Sequence, residues 1–244
     1  MKIRIWHIVI FVIALAVFAI ALAPAQLLFR GSEGVLTFHR AEGTIWRATL
    51  RQVDLGGLNG GDATVTASLF DLMQGSVVSD IVFAGPDLSG QVRLHAGLNG
   101  DRRLEAPIPT ISGLHAQGFG RVPGATRVTG LDITFRQQVC AAAQGQIDSD
   151  VLVKVAEQTG GEAPLLTGNA ACMGQIARLT LQGEAAGDSA LALLDLSGNG
   201  TGSWSVTYRT SKPPLAASLI AAGFMPDEQA AAFNSKGDMT WLPY

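Results

Sequence analysis

Apolar and polar residues alternate one by one through segment after segment of this chain, and glycine or proline cuts each segment off before it reaches helical length. In residues 44–55, Thr44, Trp46, Ala48, Leu50 and Gln52 fall on one face of an extended chain, and Ile45, Arg47, Thr49, Arg51 and Val53 on the other. In 126–136, Val128, Leu131, Ile133 and Phe135 alternate with Thr129, Asp132 and Thr134, and Gly130 reads as a bulge. A period of two is the signature of a half-buried strand. The 29 glycines and 10 prolines are spread along the 244 residues, so they punctuate many short elements and mark no low-complexity tail. Similar segments at 35–38, 63–68, 76–83, 91–96, 103–108, 114–119, 146–155, 165–166, 170–173, 176–183, 190–196, 204–210 and 237–244 predict about twelve or more short strands, with turns such as Asn99-Gly100-Asp101 between them. Residues 69–75 read as a compact apolar corner. Helical spacing appears only at 213–233: Leu215, Leu219, Ile220 and Phe224 make a stripe behind Pro213 and Pro214, and Gly223 with Pro226 splits it into a hairpin whose second helix is 227–233.

A different signal precedes all of this. Residues 5–23 hold no formal charge, with Lys2 and Arg4 before them and Pro24 after. As a helix at about 1.5 Å per residue this stretch covers roughly 28 Å, close to the thickness of a bilayer core. It reads either as a retained anchor or as a cleaved signal, since Ala21-Leu22-Ala23 and Ala23-Pro24-Ala25 both offer small residues at cleavage spacing. Its length exceeds the usual signal core, and Pro24 would be a poor first mature residue, so the anchor is the favoured reading. Lys2 and Arg4 place the N-terminus in the cytoplasm and the remainder outside it. Cys140 and Cys172 are the only cysteines, and in an exported domain an even count points to a disulfide. Two buried thiols are the alternative for a cytosolic domain. Without Lys2 and Arg4 the chain carries 15 basic and 20 acidic residues, and no basic patch of the kind nucleic acid needs.

Residues with catalytic or ligating chemistry are few and scattered. No G-x-S-x-G elbow occurs. His7 falls in the apolar stretch, and His39, His95 and His115 have no partner at triad or metal spacing, which favours ordinary surface or satisfied roles. Asp148 and Asp150 share a strand face in the 146–155 reading and could pair around a cation, although a solvated face is the commoner arrangement. Gly198-Asn199-Gly200-Thr201-Gly202 lacks the spacing and following helix of a dinucleotide loop, and reads as a turn. Trp46, Trp204 and Trp241, with Phe38, Phe70, Phe83, Phe119, Phe135 and Phe224, read as a β core, or alternatively as the apolar concave face of a curved sheet. A weak internal echo, Pro86-Asp87-Leu88-Ser89-Gly90 against Pro164-Leu165-Leu166-Thr167-Gly168, fits convergent turns and a duplicated unit equally well.

Several features together, in order along nearly the whole chain, resemble the type II secretion system protein N family. They are the N-terminal anchor with a basic head, Gly43-Thr44-Ile45-Trp46, the Leu-rich corner ending in Gly75, Gly85-Pro86, Cys140 followed by Gly145, Pro164-Leu165-Leu166-Thr167-Gly168 ahead of Cys172, and Leu219 with Ala222-Gly223-Phe224. The chain departs from the usual pattern at Ala48, where glycine often follows the tryptophan, and at Ala163, where Gly-Pro is usual. The resemblance implies a non-enzymatic accessory subunit in the bacterial inner membrane. Its partners would be other inner-membrane subunits of the secretion machine and the outer-membrane secretin, with no cofactor. Residues 1–4 would be cytoplasmic, 5–23 a single transmembrane helix, 24–34 a connector, and 35–244 a periplasmic β-rich domain. The expected fold is mostly β: an elongated, twisted antiparallel sheet, open-barrel-like, with a short helical hairpin near the C-terminus. The segment 63–90 also looks like the repeating unit of AsmA-like envelope proteins, which implies, as the alternative, a periplasmic groove that binds or transfers lipid. Neither resemblance supplies catalytic, cofactor or metal residues, so Cys140 and Cys172 are the only site residues assigned.

Overall fold

A computed structural model describes residues 15, 18, 22–27, 36–55, 58–112, 115–116, 120–121, 124–159, 162–221, 223–227 and 232–240. Its main body is a 16-stranded, wholly antiparallel sheet. The first strands are β1 (Leu36–Thr37), β2 (Arg40–Thr44), β3 (Arg47–Leu55), β4 (Leu58–Ala67), β5 (Ser76–Ala84) and β6 (Leu88–Gly97). β7 (Arg102–Ala106) and β8 (Thr110–Ser112) follow, then β9 (His115–Ala116) and β10 (Gly120–Arg121), which pair only with each other. The middle is β11 (Ala125–Arg136), β12 (Val139–Ser149), β13 (Leu166–Met173), β14 (Ile176–Ala185), β15 (Asp188–Ser197) and β16 (Thr201–Arg209). β17 (Met225–Asp227) and β18 (Ala232–Thr240) close the chain, with β18 lying between β16 and β17. Apart from β8, β9 and β11 and this last crossover, each strand from β3 onward pairs with its immediate predecessor.

β7 and β8 act as one strand broken at Pro107-Ile108-Pro109, since both pair with β6 on one side and β11 on the other. The prolines donate no hydrogen bond; their carbonyls accept from Gly130 and Val128 across the gap. Opposite the break the β11–β12 ladder shifts register between Thr129 and Asp132, the bulge expected at Gly130. One inserted residue keeps Val128 and Leu131, three apart, on the same buried face. That face carries the largest core cluster, in which Ile133, Phe135 and Ala177 are fully buried beside Leu179 and Leu196. Burial of each large side chain contributes about 1.5–3 kcal/mol. A second cluster, with Ala48, Leu50, Val53 and Ala63, lies under the first strands, and a third, with Leu166, Tyr208, Leu215 and Leu219, under the last.

The registers sort the connections into two ends. The β2–β3, β4–β5, β6–β7, β11–β12, β13–β14 and β15–β16 turns lie at one end, here called the rim. The long helical connections after β12 and β16 lie at the other. At the rim the sheet rolls up. β12 and β15 are three strand steps apart, roughly 14 Å if the sheet were flat. Yet Gly198, in the β15–β16 turn, packs so tightly on Gln138 of the β11–β12 turn that an added Cβ would lie 2.5 Å from its Cα. The ladder nonetheless stays open, because β1 and β17 end the order without pairing to each other. The sheet is thus strongly curled and is not a closed barrel.

Several sequence expectations are corrected. The valine-rich run 146–155 is not one strand. β12 ends at Ser149, and Val151–Thr159 is a helix whose first turn is closed by the Lys154 N–H on the Asp150 carbonyl. Leu152 and Ala156 share one helical face, Leu152 packing on the third cluster and Ala156 being buried, and tertiary packing overrides the β preference of valine. The corner at 69–75 contains a one-turn helix, Leu69–Met73, capped by the Ser68 hydroxyl, which accepts from Asp71 N–H. The C-terminal helical hairpin is a single helix, Pro213–Ala221. Met225–Asp227 and Phe233 are in strands, where Phe233 pairs with Tyr208 and Pro226, and 228–231 lie outside the described residues. The last strand is Ala232–Thr240, displaced from 237–244. The start of the connector at 24–34 is tied down: Pro24 bridges to Thr44, Ile45 N–H donates to the Ala23 carbonyl, and Ala25 is buried in the second cluster. Among the described residues no helix is long and apolar enough to cross a membrane. Apart from Leu15, Phe18, Leu22 and Ala23, the expected transmembrane segment lies outside them.

Candidate functional site

Strand alternation that buries one face turns charged side chains out on the other, and the registers bring opposite charges together there. Asp80 on β5 faces Arg93 on β6, which faces Glu105 on β7. Arg93 Nε donates to Asp80 Oδ1 at 2.6 Å and its Nη1 stands 3.8 Å from Glu105 Oε2. Arg103 Nη2 reaches Glu105 Oε1 at 2.9 Å. Arg103 also grips Asp132 of β11 with both ends of its fork, Nε to Oδ1 at 2.9 Å and Nη2 to Oδ2 at 2.7 Å. That hydrogen-bonded guanidinium holds the Asp132 carboxyl below the usual carboxylate range, and the Asp132 bond in turn raises Arg103. The same device recurs as Glu42–Arg51–Asp62 on β2 to β4 and as Arg178–Asp195 on β14 and β15. Solvent screens exposed pairs of this kind, so they specify register more than they add stability.

Where this charged face meets the rim there is an open cleft of about 520 Å³ between the turns at Gly75, Leu98 and Arg136. His95 and Arg103 line it, and so does Arg136, which is exposed. His95 Nε2 is buried without a hydrogen bond; Glu105 Oε2, its nearest charged neighbour, is 4.0 Å away. Arg102 and Asp101 also line it, and the Arg103 fork is already engaged by Asp132 and Glu105. The Ser76 hydroxyl beside it is already spent on the Asp71 carbonyl, at 3.2 Å.

A second polar constellation lies at the opposite end. Asp188, buried at the start of β15, accepts from Lys212 Nζ at 3.0 Å and from the Tyr208 hydroxyl at 3.4 Å, while its Oδ1 has no partner. Lys212 also donates to the Glu162 carbonyl at 3.2 Å. Lys212 immediately precedes the Pro213–Ala221 helix, so this ion pair fastens that helix and the 162 loop to the sheet. Burial, reinforced by the Asp188 charge, raises the Tyr208 phenol above its ordinary range.

The residues singled out from sequence are not brought together. Cys140 and Cys172 form a disulfide between β12 and β13, with Cα atoms 5.7 Å apart. His39 is exposed, His95 lines the cleft, the His115 side chain is not described, and His7 lies outside the described residues. Asp148 and Asp150 do not pair. Asp148 stays exposed on β12, and Asp150 sits past its end, where Oδ1 accepts from Ala125 N–H at 2.6 Å. Among the described residues no group of three or more acidic, histidine or cysteine side chains could hold a metal. Asn199 shapes its turn by accepting from Thr201 N–H at 3.0 Å. In the echoed motifs, Leu88 and Leu166 are both buried, and Gly90 and Gly168 both lie beneath backbone, of Pro109 and Thr180 respectively. The Gly-Gln that follows is mid-strand in one, Gly90-Gln91, and a turn in the other, Gly174-Gln175. Phe135 is core, whereas Phe70 is 69% exposed and Trp204 partly so; Phe119 and Trp241 lie outside the described residues. The Asp188–Lys212 pair and the ion-pair ladders gave no sequence signal, because each pair except Arg103–Glu105 joins residues 9 to 29 apart whose partnership depends on register.

Among the described residues the frame is a curled antiparallel sheet with apolar clusters packed on one face, ion pairs across the other and an open cleft at the rim. The chain belongs to the type II secretion system protein N family, whose model matches residues 35–232. No curated protein and no solved structure matches it.

Proposed function

We propose that this protein is an accessory subunit of the type II secretion machine, held in the inner membrane by residues 5–23, with its β domain in the periplasm. It works through contacts with other inner-membrane subunits and the outer-membrane secretin, without chemistry of its own. The family match over residues 35–232 carries this reading. The uncharged run behind Lys2 and Arg4 supports the anchor, and the Cys140–Cys172 bridge suits an oxidising compartment. A deletion strain should lose export of the machine's substrates. The full chain should restore export, and a version carrying a cleaved signal in place of residues 1–23 should not. Normal export without the protein, together with a pull-down that recovers no component of the machine, would refute the assignment. A lipid-carrying groove would need room along the inner face, where Ile133 and Phe135 are instead fully buried by their neighbours. Native mass spectrometry of the protein tests that alternative by the lipid it would retain.

A further inference from the structure

The apolar N-terminal stretch ends against the sheet, with no tether between them. Ala23 accepts from Ile45 in the β2–β3 turn, and Pro24 bridges to Thr44, so the chain leaves the sheet at the rim. Leu22 and Phe18, the described residues just before, are exposed. Apolar side chains also stand out of the successive rim turns that follow. The β4–β5 connection carries Phe70 and Met73, the latter 85% exposed; the β6–β7 turn carries Leu98, 84% exposed; Val139 and Met173 mark the β11–β12 and β13–β14 turns. None of these is needed by the core, and each turn would fold with a polar residue in its place, as the β15–β16 turn does with Asn199. Arg47, Arg102 and Arg136 stand at the same end, and no carboxylate is paired to them among the described residues.

We infer that the rim is a lipid-contacting surface: the turns bearing Phe70, Met73, Leu98, Val139 and Met173 dip into the interface of the bilayer that residues 5–23 cross. This rests on the anchor proposed above. If residue 23 marks the membrane boundary, the direct bond from Ala23 to Ile45 leaves no slack, and the rim is held at headgroup depth. Apolar tips flanked by arginines match that layer, where the tips enter the acyl boundary and the guanidiniums meet anionic headgroups. The opposite end also exposes apolar residues, Leu165 and Met225 among them. Strands of nine to twelve residues hold that end roughly 30–40 Å away, beyond reach of the same membrane.

The test uses the full chain in nanodiscs of phosphatidylethanolamine and phosphatidylglycerol, with photoreactive p-benzoylphenylalanine replacing one residue at a time. Replacement at Phe70, Met73 and Leu98 should give phospholipid adducts by mass, at least roughly tenfold above replacement at Leu165 or Met225. Equal yields at the two ends, or adducts at the rim to protein alone, would overturn the inference. Flotation of the same chain with vesicles after an alkaline carbonate wash separates the two readings. A chain that floats but gives no rim adducts overturns the rim alone, and a chain that does not float overturns anchor and rim together.

Discussion

Removing the disulfide should loosen one half of one strand pair. β12 and β13 share ladder pairs at only four positions, Gln146 to Ser149 against Leu166 to Asn169. Toward the rim the two strands are joined instead by the Cys140–Cys172 bridge and, through the next turn, by the Cys140 N–H on the Gln175 carbonyl at 3.0 Å. The bridge closes a loop of about 33 residues that includes the Val151–Thr159 helix, for which the chain-entropy relation gives about 3–4 kcal/mol at 25 °C. In a domain of this size each kcal/mol moves the melting temperature by about 2–4 °C, so the loss should be about 6–16 °C. The variant is C140A/C172A, which leaves no unpaired buried thiol. Its thermal unfolding, followed by circular dichroism, should coincide with that of reduced wild type. Amide exchange should show protection lost around 140–145 and 170–175 and kept at Gln146–Ser149. A shift under about 2 °C would refute the reasoning, because the ladder would then hold the pair unaided. So would two reactive thiols in the folded, unreduced protein.

Three further outcomes follow from the far end and from the sheet. Tyr208 keeps its proton above the pH at which an unfolded phenol loses it, so the folded state binds more protons there and stability falls as pH rises past about 10, being fully present below; Y208F should remove that alkaline decline in urea midpoints, and an unchanged decline would exclude Tyr208 as its source. Lys212→Met strands the buried Asp188 charge and should cost about 3–5 kcal/mol by chemical denaturation, while D188N/K212M should recover part of it; a double variant as unstable as the single one would show that the pair does not act as a unit. Gly168→Ala would set its methyl against the Thr180 carbonyl and should cost about 1–3 kcal/mol, and an unchanged midpoint would contradict that close approach.

The alternation of 126–136 made β11 legible, and the Gly130 bulge with it, because a two-residue period is written directly into side-chain polarity; in 44–55 it held only as far as Leu50, since a bulge at Arg51-Gln52 turns Val53, expected on the other face, into the core beside Ala48 and Leu50. The valines at 151, 153 and 155 misled for the same reason: they alternate, yet Leu152 and Ala156, four apart, are what the core takes in. Phe233 was read into a helix because local spacing says nothing of Tyr208, 25 residues earlier, which it pairs with. Cys140 and Cys172 could be matched by count alone, there being no other choice. The cleft around His95 and the Asp188–Lys212 pair were illegible, since each forms only once strand register and the direction of the curl are set.

The near-sequential order of the sheet bears on how the chain is made. A strand that needs only its predecessor can be laid down as soon as it emerges, so the sheet can grow from the β3 edge while later strands are still being synthesised. The first core cluster to fill would be the one that holds Ala25, fixing the stem before the bulk exists. Cys140 would wait for the 32 residues that separate it from Cys172, with no competing thiol to trap it. The stretch from β8 to β11 and the β17/β18 pair break the order, and the last strand must slot between its neighbours at the end. Vectorial assembly of this kind keeps most pairings local, which favours fast folding over the search that a Greek-key sandwich of the same length would require.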